Sequence, residues 1–174
     1  MGKELWKPGN MVYPLPAVMV SCADKEGHDN IITIAWTGTI CTNPAMLYIS
    51  VRPTRYAYHL IRESGEFVVN LTTKDLVKAT DWCGVRSGRD VDKAKELGLT
   101  YEEPETISVP GIKELPLTLE CRVVYKQTQD ISAMTKEDQG KFYPQNVDST
   151  FTGSNRDTHV AYYGEIVNAY IIEE

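Results

Sequence analysis

Apolar residues fall into short runs separated by turn formers, and most of these runs read as strands. Leu15 to Ala23 is nearly all apolar or small, which predicts a buried strand. Asp24 to Asp29 is a polar turn with Gly27 available for positive φ. A second strand follows over Asn30 to Trp36, and the pair forms a hairpin. Asn43-Pro44 turns the chain into a third strand, Met46 to Val51. Pro53 closes that strand, and Thr54 is placed to cap a helix over 55–63 that ends at Ser64-Gly65. Glu66 to Leu71 is a further strand, and 74–82 a short helix after Thr72-Thr73. Ser87, with Asp90 three residues on, resembles a capping box opening a helix that places Val91, Ala94 and Leu97 on one face and stops at Gly98. Leu115 to Lys126 predicts a long strand. Residues 127–158 form a polar excursion with one helix near Thr135 to Phe142, and His159 to Ile172 makes the last strand.

Strands dominate, without the regular alternation with helices that a doubly wound parallel sheet requires. The expectation is a mostly β fold, an antiparallel barrel with short helical insertions, in a single domain over 1–174. No run of about 18 apolar residues suggests a membrane helix, and the first residues lack the apolar stretch of a secretory signal. Cys22, Cys41, Cys83 and Cys121 are scattered and have no histidine at zinc spacing, which suits reduced thiols in a cytoplasmic protein and no metal site. Net charge is −6, which argues against nucleic acid as a partner. The charge is unevenly spread: between Arg52 and Lys93, eight Lys/Arg face six Asp/Glu, so this window is +2 and the remainder −8. A locally basic stretch suits a small anionic ligand, or else a solvated helix surface.

Common catalytic signatures are missing: the chain has no G-x-S-x-G, Walker loop, H-E-x-x-H or G-x-G-x-x-G. Three segments carry the positive signal. Asn30 to Thr37 ends a strand, where Thr33, Ala35, Trp36 and Thr37 offer backbone groups and an aromatic wall to a flat ring. Ser50, Val51, Arg52, Thr54, Arg55 and Tyr56 bring hydroxyls and guanidinium groups to a strand-to-helix junction suited to phosphate. In Cys83 to Lys93, the candidates are Ser87, Gly88, Arg89 and Lys93, with Gly84 and Gly88 permitting close backbone approach. These residue types do not by themselves choose one phosphorylated ligand over another. Trp36 suits either a core or interface aromatic or a ring wall, Ser87 either a cap or a ligand contact, and Lys93 either solvent or a phosphate.

The stretches R-E-S-G-E-F-V-V-N (Arg62 to Asn70) and C-G-x-x-S-G-R-D-x-D-K (Cys83 to Lys93) resemble the flavin reductase-like, FMN-binding split-barrel family, especially its flavoredoxin branch. So does the order of features from Leu15 through Leu119-Glu120-Cys121-Arg122 to Tyr163-Gly164-Glu165-Ile166-Val167. The resemblance implies a homodimeric split barrel that binds FMN through the candidates above, near the subunit interface. It implies transfer of hydride or electrons between NAD(P)H and flavin, or alternatively a non-enzymatic FMN carrier serving a redox protein partner. No side-chain acid or base is required, because flavin N5 carries the chemistry. His159 becomes a possible nicotinamide contact, although Asp157-Thr158-His159 departs from the Gly-Asp-His often found there. Tyr48, Tyr58, Tyr162 and Tyr163 become candidates to cover the dimer face, and the Trp82 to Lys93 segment a loop closing over the flavin.

Overall fold

The computed structural model describes residues 17–149 and 155–172. The N-terminal segment, with Leu15 and Pro16 of the first expected strand, and part of the 127–158 excursion lie outside the described residues.

Strands β1 (Val18–Ala23), β2 (Asp29–Ile34), β3 (Thr37–Thr42) and β4 (Ala45–Val51) are followed by helix α1 (Tyr56–Ser64) and β5 (Glu66–Leu71). Helices α2 (Val77–Val85) and α3 (Lys93–Leu97) and the short strands β6 (Tyr101–Glu102) and β7 (Gly111–Ile112) lead to β8 (Leu117–Thr128). Helix α4 (Lys136–Phe142) interrupts the chain before β9 (Val160–Ile171). Seven strands form one sheet in the order β2-β1-β5-β8-β9-β4-β3, and every pairing is antiparallel. The two outermost strands, β2 and β3, are consecutive in sequence and joined only by Ala35 and Trp36. Two residues cannot span a flat seven-stranded sheet, whose strands lie about 4.8 Å apart, so the sheet must roll until its edges meet. No ladder pairs β2 with β3 among the described residues, and the rolled sheet is a barrel split along that seam.

Inside the barrel, Val20, Ile49, Phe67, Cys121 and Tyr162 meet Ala57, Leu60 and Ile61 of α1, which fills one side. Gly65 ends α1 in the left-handed conformation, its N–H returning to the Ile61 carbonyl. A second apolar cluster lies outside the barrel wall, where Met19 and Ile31 pack against Cys83, Ala94, Leu99, Ile112 and Leu115. Every residue of β1 is buried because its two faces serve different cores, which explains why it reads as an unbroken apolar run. Buried Glu120 accepts from the backbone N–H groups of Glu105 and Thr106, pinning the loop before β7.

Several expectations need correction. β3 was not anticipated; its Thr-rich sequence carries little apolar signal because it is an edge strand with exposed positions. Thr54 does not cap α1: Arg55 holds the cap position without a side-chain bond, and the Thr54 hydroxyl donates to Asp157 instead. Ser87 and Asp90 do not open a helix. They form a turn in which the Asp90 N–H bonds the Ser87 carbonyl, while α3 begins at Lys93 under an Asp92 cap. Trp82 to Val85 belong to α2, so the expected loop is helical for its first third. Tyr162 is fully buried and so is not free to cover an outer face, whereas Tyr58 is half-buried with one side against the same core.

Gly164 in β9 sits against Phe67; a Cβ there would lie 2.6 Å from Phe67 Cζ and 3.1 Å from Cys121 Cβ. Gly164→Ala is therefore expected to overpack the barrel and cost about 1–3 kcal/mol. Urea unfolding should show a lower midpoint at unchanged slope, with part of the loss recovered by adding Phe67→Leu.

Candidate functional site

The seam opens into a pocket of about 820 Å³, within the range of small-molecule and cofactor sites. One wall is the end of β2 and the link, Thr33 to Trp36. A second runs from Ser50 at the end of β4 to Tyr56 at the start of α1. The third is the end of α2 with the turn at Ser87 and Gly88, and His159 closes the fourth side. The Trp36 carbonyl accepts from the Ser50 N–H at 2.9 Å, locking the link to the end of β4. Trp36 and His159 stack with centroids 4.4 Å apart and planes 32° from parallel.

Four cationic side chains, Arg52, Arg55, Arg86 and Lys93, line the pocket with the carboxylates of Asp81 and Asp90. Arg52 is only 5% exposed; its guanidinium donates to the Ser149 carbonyl and lies 3.6 Å from the Asp157 carboxylate. Burial, and then the charge of Arg52, lower the pKa of Arg55, so adding an anion between them would relieve like-charge crowding. His159 Nδ1 is buried without a hydrogen-bond partner among the described residues. Burial first, then Arg52 and Arg55, push the His159 pKa down to about 4 against the opposing Asp157, so the ring is neutral at pH 7.

Lys93 is buried, and neither solvent nor ligand alone accounts for it. Its Nζ donates to the Ile31 carbonyl at 2.7 Å and the Cys83 carbonyl at 2.9 Å, clamping β2 to the end of α2. Gly88 is the residue that lets the turn lie against β2. A Cβ there would fall 2.0 Å from Asn30 Oδ1 and 2.9 Å from Tyr56 Cδ1. The Ser87 hydroxyl accepts from the Arg89 N–H within its own turn. Cys83 lies on the wall as a buried thiol; burial raises its pKa, opposite to what a reactive thiolate needs.

Twelve of the fourteen candidate residues line this pocket, as does His159. Thr37 and Arg89 do not. The Thr37 hydroxyl bonds the Tyr48 carbonyl at 2.6 Å in the β3–β4 hairpin, and Arg89 lies over the Tyr56 ring and donates to the Thr54 carbonyl from outside. Sequence reasoning missed Asp81 and Asn155, which lie outside the three segments, and Asn30, Gly84 and Arg86, which lie inside them. Asn30 carries a buried Oδ1 without a partner among the described residues. An amide at a strand start beside a required glycine is the signal that could have revealed it. Asp24, Glu26 and His28 group on the β1–β2 turn, where the Asp24 carboxylate accepts from both N–H groups and from His28 Nδ1.

Fold and site together define a β-barrel protein with a cation-rich pocket open along the barrel seam. Residues 11–174 match the model of the flavin reductase like domain, and the chain belongs to that family. Among solved structures, it is similar to the flavoredoxin of Desulfovibrio vulgaris (Miyazaki F), at 25% identity and a TM-score of 0.73 over 99% of this chain and 78% of that one. It is also similar to the flavoredoxin of Methanosarcina acetivorans, at 30% identity and a TM-score of 0.70 over 97% and 75%. An uncharacterized protein of Archaeoglobus fulgidus is 38% identical over 114 residues, 65% of this chain and 63% of its own length. The chain spans less than two thirds of the first curated relatives it matches.

The His159 geometry carries a pH dependence. An unfolded histidine titrates near 6.5, whereas the folded ring resists protonation down to about 4. Between those values the unfolded chain binds the extra proton, so stability is full above about pH 6.5 and falls as pH drops toward 4. Denaturation midpoints measured across this window should decline on acidification, and His159→Gln should flatten part of the slope.

Proposed function

We propose that this protein is an FMN-binding flavoprotein that transfers hydride or electrons between NAD(P)H and flavin. The observation that carries this reading is the meeting, at one barrel end, of buried Arg52 with Arg55, Ser50 and Thr54 beside the Trp36–His159 stack. The residues present fit the cofactor. Asn30 and His159 line the pocket, and each carries a buried polar atom, Oδ1 and Nδ1, without a partner among the described residues, which fits a polar ligand beside them. Membership of the flavin reductase like family supports the choice of flavin over other phosphorylated ligands.

In this reading Arg52, Arg55, Thr54 and Ser50 hold the phosphate and ribityl end, where charge-assisted hydrogen bonds are strongest. The backbone of Ala35 and Trp36, on the pocket wall, would offer hydrogen-bonding groups to the polar edge of the ring. Flavin, when bound, supplies the two-electron chemistry. The chain itself would position the ring against the Trp36–His159 pair, and His159 is kept uncharged, so it would add no cation beside the ring. Lys93 holds the β2 and α2 walls at a fixed separation, and Gly88 lets the third wall approach. The two flavoredoxins among the similar structures support a carrier role as the alternative within the same site. Four unbridged cysteines support a reducing, cytoplasmic setting, and among the described residues no helix is long and apolar enough to cross a membrane.

The purified protein is expected to be yellow and to bleach when NADH or NADPH is added without oxygen. Turnover of added free flavin indicates a reductase; bleaching or partner reduction without such turnover indicates a carrier; a colourless protein that binds no FMN sinks the reading. Arg52→Ala should weaken FMN binding roughly 10- to 100-fold, checked by flavin fluorescence titration on protein whose circular dichroism is unchanged.

A homodimer belongs to the same reading. Beyond Arg122, β8 continues past the last residue paired with β5, and Val124 to Thr128 are exposed in succession. Tyr48, Tyr163 and Tyr125 form an aromatic stripe across β4, β9 and β8, with centroids 6.5 and 5.2 Å apart and Tyr125 57% exposed. An exposed patch of this kind favours association. Light scattering at low micromolar concentration should give a dimer, and Tyr125→Glu a monomer; a monomeric wild type with flavin bound would refute this.

A further inference from the structure

Asp157 stands behind the pocket lining, against two of the polar groups that line it, Arg52 and Thr54. Its Oδ2 accepts from the Thr54 hydroxyl at 3.1 Å and stands 3.6 Å from Arg52 Nη2. It is also the acidic group opposing the effects of burial and charge on both Arg55 and His159. The separation from Arg52 is too long for a hydrogen bond, so Asp157 supplies counter-charge to a buried guanidinium while committing the hydroxyl proton of Thr54. Arg52 is 5% exposed and Asp157 25%, so the carboxylate is the more solvated and more easily displaced member of the pair.

Resting on the flavin reading above, we propose that Asp157 is an internal competitor for the phosphate-binding groups and sets FMN affinity low enough for exchange. The carboxylate lies beside Arg52 as counter-charge to a buried guanidinium. A phosphate dianion seeks the same guanidinium and the same hydroxyl, and it meets a like charge beside them. Binding therefore has to displace a favourable internal pair, so the competition acts on the phosphate and leaves the ring untouched. Riboflavin, which has the ring without the phosphate, escapes it.

The test compares FMN and riboflavin dissociation constants for the wild type, Asp157→Asn and Asp157→Ser at low ionic strength. Asn removes the charge but keeps an acceptor for Thr54; Ser removes the carboxylate altogether and serves as the second variant if the first folds poorly. FMN should bind roughly tenfold more tightly to the variants while riboflavin stays within about twofold, and the difference should narrow at high salt. Unchanged or weaker FMN binding would make Asp157 a positioning residue for Arg52 and overturn the proposal, as would an equal shift for both flavins. Failure of all three proteins to bind either flavin would instead remove the flavin reading itself.

Discussion

The link between β2 and β3 is two residues long, and those strands stand at opposite edges of a seven-stranded sheet. That covalent constraint makes the sheet roll, and rolling brings the ends of β2 and β4 together. The Trp36 carbonyl then finds the Ser50 N–H, and the two strand ends become adjacent walls of one pocket. The seam is left without a ladder because the link itself runs across it. The feature that closes the barrel is thus the feature that opens the site.

Charge is the second constraint. Arg52 is almost fully buried, and taking a guanidinium out of water carries a desolvation cost that its surroundings must offset. The polar excursion before β9 meets that need from a distance, supplying the Ser149 carbonyl and the Asp157 carboxylate. Burial first, and then neighbouring guanidinium charge, lower the pKa of both Arg55 and His159.

Rigidity comes from the second core, outside the barrel. Met19 and Ile31 on the outer face of the wall hold α2, α3 and the β6–β7 ribbon. Lys93 ties these layers through two backbone carbonyls, and Asn70 does similar work between the Met19 carbonyl and the Ile112 N–H. The third wall of the pocket is therefore packed scaffold as far as Val85, and only the turn at Arg86 to Val91 departs from regular structure.

Much of this was legible in the sequence. β1, β2, β4, β5, β8, β9 and α1 follow apolar runs and glycine stops, because burial of a strand face and the end of a helix are local signals. Twelve candidate residues meet at the pocket, seven of them hydroxyl or guanidinium side chains of the kind that cluster at chain junctions. Tertiary structure decided the rest. β3 exists because β4 pairs with it, although its own residues favour no buried face. Ser87 could cap a helix by its sequence, but Asp92 does so, and Gly88 is needed because Asn30 and Tyr56 lie against it. Lys93 reads as a solvated lysine or a phosphate ligand until it donates to the carbonyl of Ile31, 62 positions away. Thr54 reads as a cap until Asp157, 103 positions away, takes its hydroxyl. Local pattern specifies which segments are strands and which residue types gather at their ends. The partners of each polar group come from remote segments that only the rolled sheet brings within hydrogen-bond reach.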